Sequence, residues 1–108
     1  MKWKVGISKI HGNGVFAAQD LGVGEDIGVS IPMVLDTNHS RTFLRNTFGL
    51  LINDSGTANS IIEKIGDDWH FIAKLFIPEG EEITVNYSEC ERKIDYESKI
   101  TRKRVSVV

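Results

Sequence analysis

A chain of 108 residues can bury one core but has no length for a catalytic domain beside a separate substrate-recognition domain, so residues 1–108 read as one domain whose site is assembled from its own loops. An apolar fraction of 41% with ten glycines and two prolines excludes a disordered chain and points to short strands joined by frequent turns. A net charge of −2 offers no globally basic surface for nucleic acid, no apolar run reaches the length of a membrane span, and Met1 to Lys4 leads into a strand-like segment rather than a signal-peptide core; the chain reads as soluble and intracellular.

In chain order, Lys2 to Lys9 alternates, with Trp3, Val5 and Ile7 on one face, the period of a half-buried strand. His11-Gly12-Asn13-Gly14 interrupts it as a tight turn before the apolar run Val15-Phe16-Ala17. A second turn, Leu21 to Asp26, precedes extended segments at Ile27–Ser30 and Met33–Leu35. Phe43, Leu44 and Phe48 fall at helical spacing between an N-capping Ser40 and a terminating Gly49. Ala58–Ile65 and Trp69–Ile77 read as two strands of a hairpin around Gly66-Asp67-Asp68, Ile83-Thr84-Val85 as a further short strand, and Glu89 to Lys99 as a terminal helix or an ordered arm.

The single cysteine, Cys90, cannot form an internal disulfide, and with three scattered histidines it supplies no metal site. Acids gather at Asp67, Asp68, Glu79, Glu81, Glu82, Glu89 and Glu91, whereas Lys99, Arg102, Lys103 and Arg104 make the tail basic. Such runs are either solvated faces or, for the acids, a surface that attracts a basic peptide.

Three segments carry candidate chemistry. Gly12 and Gly14 permit a positive-φ turn whose backbone can approach a ligand, or form a plain hairpin turn. The string also satisfies G-x-G-x-x-A, but Gly22 and Gly24 follow too soon for the helix that a dinucleotide site requires. Leu50-Leu51-Ile52 ends abruptly in Asn53-Asp54-Ser55, which is either an Asx turn closing an element or a buried segment whose Asn53 holds a polar ligand. Pro78 to Tyr87 is a turn and a strand closed by a tyrosine.

In this order the segments resemble the SET domain of protein-lysine methyltransferases, over roughly residues 5–87. Gly12-Asn13-Gly14-Val15-Phe16-Ala17 is similar to the family's opening Gly-x-Gly turn. Gly24-Glu25-Asp26-Ile27 fits its Gly-Glu segment, and Asn53-Asp54-Ser55-Gly56-Thr57-Ala58-Asn59 aligns without a gap with Asn-His-Ser-Cys-x-Pro-Asn. Gly80-Glu81-Glu82-Ile83-Thr84-Val85-Asn86-Tyr87 matches Gly-Glu-Glu-Leu-Thr-x-x-Tyr, the most specific of the motifs. Asn38-His39-Ser40 copies the family tripeptide literally but lacks the apolar run before it and the second asparagine after it.

The resemblance implies a mainly β SET-domain fold: small β-sheets with a pseudoknot-like threading of the Asn53 and Tyr87 segments, and one or two short helices. It implies S-adenosyl-L-methionine as cofactor, with the methionine end held by the backbone of His11, Gly12, Asn13 and Gly14 and by Asn53, and the adenine met by the backbone of Asp54. Tyr87 would stand at the reaction centre, also touching the cofactor. The implied reaction is transfer of a methyl group to a lysine of a protein or peptide, as in the family's histone substrates, with no metal. Methyl transfer from a sulfonium to an amine is an in-line displacement, so the protein mainly aligns a neutral lysine nitrogen with the methyl carbon in a dry channel.

Asp54 stands where the family carries histidine and puts a carboxylate beside the expected cofactor pocket. Ala58 replaces a proline, and Ser30 stands where many relatives have a channel tyrosine. The cysteine-rich closing segment of larger relatives is missing, so residues 88–108 must close the site or serve as a dimer arm. The chain is in this similar to compact stand-alone SET proteins of viruses and bacteria, and a homodimer is expected. Two other readings stay open: a SET-like module without catalysis that binds a peptide, and an unrelated small β-rich binding protein.

Overall fold

The computed structural model describes residues 1–32 and 52–106. Within them the elements are β1 (Trp3–Ile7), β2 (Asn13–Ala17), β3 (Asp26–Pro32), β4 (Asn53–Asp54), β5 (Ser60–Ile65), β6 (Asp68–Ala73), β7 (Glu82–Val85) and α1 (Tyr87–Ser106). The expected segment Met33–Leu35, the helix from Ser40 to Phe48 and the Asn38-His39-Ser40 tripeptide lie outside the described residues.

Two small sheets result, one of four strands in the order β1-β2-β7-β4 and one of three in the order β3-β6-β5. β5 and β6 form the expected hairpin, with Ile65 opposite Asp68. The connection is the two residues Gly66 and Asp67; positive φ at Gly66 (63°) and not at Asp67 fits a type II′ turn, which matches the natural twist of the strands. β6 is shorter than expected and ends at Ala73. Beyond it the chain turns away, with Lys74 and Leu75 both donating their N–H to the Asn59 carbonyl, before Ile77 bridges to Leu21.

The core lies between the sheets and under α1. Val15, Ala17, Ile83 and Val85 point one way from the four-stranded sheet, and Ile62, Trp69, Phe71 and Ala73 from the three-stranded one, joined by Leu21, Ile52, Ile77 and Cys90; Trp3, Tyr87 and Ile94 pack on its edge. Full burial of Phe71, Leu21 and the isoleucines removes about 1.5–3 kcal/mol of apolar exposure per side chain.

Two sequence readings are corrected here. The apolar face of β1 is not half-buried along its length: Val5 is 48% and Ile7 88% exposed, while Trp3 at the start of the strand packs against the core. The terminal element is a helix of 20 residues that begins at Tyr87 rather than Glu89. No described helix is long and apolar enough to cross a membrane.

Asn59 links the two sheets to the threading of the chain. Its side-chain amide donates to the Glu82 carbonyl (2.8 Å) and accepts from the Thr84 N–H (2.9 Å), imitating a neighbouring strand. Ser60 Oγ adds a buried bond to the Thr84 carbonyl at 2.6 Å. β4 runs parallel to β7 on the same flank, with Asn53 opposite Thr84 and Asp54 opposite Val85. The segment 52–60 is thus laced to 82–87, which brings two candidate segments some thirty residues apart in sequence side by side.

Candidate functional site

The polar face of the four-stranded sheet, opposite the core, carries the first constellation. Gly12 takes positive φ (47°) and turns the chain between β1 and β2, and a Cβ built there would meet nothing within 4 Å, so its surface is open. Gly14 is different. It belongs to β2 with ordinary extended backbone, and the reason for a glycine is space: an added Cβ would collide with the Glu82 carboxylate and come within 3.0 Å of Ser8 Cβ. The paired glycines are therefore not one positive-φ turn; one bends the chain and the other leaves room.

Into that room Glu82 extends across β2. Ser8 Oγ donates to its two carboxylate oxygens (2.8 and 2.9 Å) and accepts from the Ile10 N–H at 2.8 Å and, more loosely, the His11 N–H at 3.3 Å. Asn53, 8% exposed, points its amide nitrogen into the same knot: Nδ2 lies 2.8 Å from Glu82 Oε2, 3.0 Å from Ser8 Oγ, 3.2 Å from the His11 carbonyl and 3.3 Å from the Asn13 carbonyl. One amide with two protons thus sits among four acceptors. Ser8 and Glu82 were not singled out from sequence. They come together across one intervening strand, β2, which becomes visible only once the β1-β2-β7 order is known.

Gly14→Ala is expected to push Glu82 away from Ser8 and Asn53. The carboxylate end is flexible, but its charge-assisted bonds are lost as it moves, so the variant should unfold at lower urea concentration, with a cost of about 1–3 kcal/mol. Gly12→Ala, with open space around it, should cost only the left-handed backbone strain of about 1–2 kcal/mol and leave the knot intact.

The second constellation is built at the start of α1. Asn86 caps the helix through Oδ1, which accepts from the Glu89 N–H at 3.1 Å. Asp54 Oδ1 accepts from the Tyr87 N–H at 2.7 Å. A carboxylate at a helix N-terminus is favoured by the aligned peptide dipoles, so the aspartate that departs from the family pattern has a structural partner here. Tyr87, expected to close a strand, is instead the first helical residue; its hydroxyl donates to the Ile52 carbonyl at 2.6 Å, next to Asn53. Burial first, and the negative charge of Asp54 second, push the phenol above its ordinary range. It stays protonated at neutral pH.

One turn on, Cys90 is 2% exposed and its thiol is pushed up to about 12, chiefly by burial and then by the charge of Glu89. It should resist a thiol reagent at pH 8 in the native state and react at once in denaturant. Because the thiol keeps its proton in the fold above the ordinary value of 9.0, stability is full below pH 9 and declines as pH rises from there towards 12. A pH series of urea melts checks this.

A cavity of about 520 Å³ opens between the β5–β6 hairpin and α1, over Trp69, Arg92 and Tyr96. Its charges are largely committed to one another, Lys93 to Glu63 at 2.7 Å and Lys64 to Glu97 at 3.9 Å. It includes none of the site residues expected from sequence. Among the described residues, no group of three or more His, Cys, Asp or Glu is placed to hold a metal ion.

No family model matches the chain, and no curated protein matches it in sequence. The fold does match solved structures. The crystal structure of a Plasmodium falciparum protein, described provisionally as a histone methyltransferase, superimposes with a TM-score of 0.60 at 21% identity, over 80% of this chain and 96% of that one. Identity of this order shows the fold alone. The chain is mainly β with a SET-like arrangement of small sheets, shared with a structure of the methyltransferase class.

Proposed function

We propose that the chain is an S-adenosylmethionine-dependent protein-lysine N-methyltransferase acting on a lysine-containing protein or peptide. The observation that carries this reading is the convergence of all three candidate segments: Asn53 Nδ2 reaches the His11 and Asn13 carbonyls at 3.2 and 3.3 Å, and Tyr87 is bonded to Ile52, the residue before Asn53. The fold likeness adds support at the level of class.

The donor set suits the cofactor. Carbonyls of His11 and Asn13 and the carboxylate of Glu82 gather acceptors and negative charge around one point, beside the open surface of Gly12, which fits a ligand bearing an ammonium and a sulfonium. The backbone of His11, Gly12, Asn13 and Gly14 and the Asn53 amide would hold the methionine end, the Asp54 backbone would meet the adenine, and Tyr87 would flank both. When bound, S-adenosylmethionine supplies a methyl group activated on a positively charged sulfur.

Tyr87 has the chemistry for the aligning role. Its proton is committed to the Ile52 carbonyl, so the lone pairs of the phenol oxygen are left to accept an N–H of the incoming lysine amine or a polarised methyl C–H. The raised pKa keeps it from becoming a phenolate that would instead attract the charged, unreactive ammonium.

Incubation with labelled cofactor and basic peptides tests the proposal: label on lysine above the level given by Tyr87→Phe is expected. Calorimetric binding of the cofactor with no transfer would leave a SET-like module that binds a partner without catalysis, and absence of binding would end the cofactor reading altogether.

A further inference from the structure

A carboxylate in an acid-rich stretch ordinarily points into water, where solvent and salt neutralise its field. Glu82 does not. It is half-buried, laid over Gly14 in space that a Cβ would fill, and held by Ser8 Oγ at 2.8 and 2.9 Å and by Asn53 Nδ2 at 2.8 Å. Both of these donors are neutral. Among the described residues no lysine, arginine or histidine pairs with it, whereas Glu25, Glu63 and Glu97 each pair with a lysine. The neighbouring oxygens sharpen the imbalance: the two protons of Asn53 Nδ2 face Glu82 Oε2, Ser8 Oγ and the His11 and Asn13 carbonyls, all within 3.3 Å. A fixed negative charge among surplus acceptors favours a cation beside it.

We propose that Glu82 sets the charge preference of the site: it favours the sulfonium form of the cofactor over the demethylated thioether and so promotes release of the product. The inference rests on the cofactor reading above, in which the methionine end is held by residues 11–14 and Asn53. The His11 and Asn13 carbonyls and Glu82 Oε2 converge on one nitrogen, so the carboxylate belongs to the group of oxygens that would meet the ammonium. In S-adenosylmethionine the sulfur stands four covalent bonds from that ammonium, a reach of about 5 Å. The carboxylate therefore acts on the sulfonium from within a Debye length. Transfer breaks the S–CH3 bond, leaves its electron pair on sulfur and gives a neutral thioether, while the amine nitrogen takes the positive charge. The amino-acid end is common to both forms, and the charge on sulfur separates them. At a separation of about 8 Å, with a dielectric constant between those of a protein surface and water, that charge changes affinity by about 3–10-fold.

Calorimetric titration of the full chain with S-adenosylmethionine, S-adenosylhomocysteine and an analogue carrying a protonated amine in place of the sulfonium tests this. Wild type should bind the sulfonium and the amine analogue about 3–10-fold more tightly than the thioether. Raised salt screens the carboxylate and should shrink that ratio. Glu82→Gln keeps the length of the side chain and removes its charge, so the three affinities should draw together whatever their absolute level. A merely structural role would weaken all three equally and leave the ratio as it was. Equal binding of sulfonium and thioether by wild type, a ratio insensitive to salt, or a ratio unchanged in Glu82→Gln would overturn the inference and leave the methyltransferase reading standing. No binding of any of the three to wild type would end that reading and this inference with it. The wild-type titrations decide the matter even where Glu82→Gln fails to fold.

Discussion

Tyr87→Phe is expected to lower methyl transfer to a lysine peptide by about 10²–10³-fold, the range seen when one positioned polar group is removed from a reaction centre. Loss of the hydroxyl takes away the acceptor that would orient the amine, while the ring and its packing against the core remain. The fold should lose only the 2.6 Å bond to the Ile52 carbonyl, about 1 kcal/mol, which for a domain of this size lowers Tm by about 4–8 °C. Cofactor affinity should change little, because the contacts expected to hold the methionine end come from His11 to Gly14 and Asn53. A large drop in turnover with near-normal cofactor binding separates an aligning role from a structural one. Equal turnover in the two proteins would mean that Tyr87 only caps the core.

The strands were readable wherever period and turn chemistry agreed. The 60–73 hairpin is set by a glycine between two β-rich runs, and the structure places that glycine at positive φ. For Asn53 the sequence left two readings open, an Asx turn or a buried amide, and the structure buries it to 8% exposure. Three features were not readable. The exposure of β1 depends on what covers it, and periodicity carries no information about that. Asp54 reads from sequence as a carboxylate intruding beside a pocket; only the placement of α1 shows its oxygen on the Tyr87 N–H. Glu82 belongs to a run of acids that composition assigns to solvent, yet its carboxylate is drawn over Gly14 by Ser8 and Asn53, 74 and 29 residues away. Long-range hydrogen bonds of this kind leave no local pattern.

The knot around Glu82 supplies the second large effect. Asn53→Asp keeps the shape of the side chain but replaces the donating amide nitrogen by an oxygen facing Glu82 Oε2, which lies 2.8 Å away in the native protein. Two carboxylates at that separation cannot both ionise without heavy repulsion, so at pH 7 the variant loses the charge-assisted bond and gains a like-charge contact, a cost of about 3–5 kcal/mol. Sharing one proton relieves the repulsion and raises the apparent folded-state pKa of the pair above that of the separate carboxyls in the unfolded chain. A raised folded pKa contributes stability that is present at acid pH and is lost as pH rises through it. Urea melts of Asn53→Asp should therefore show a deficit against wild type that is large at pH 7 and shrinks towards pH 5, whereas Asn53→Ala, with no second carboxylate, should show a deficit that stays nearly constant over the same interval. Parallel curves for the two variants would place the Asn53 side chain away from Glu82 in solution, and with it would go the acceptor cluster on which the cofactor reading depends.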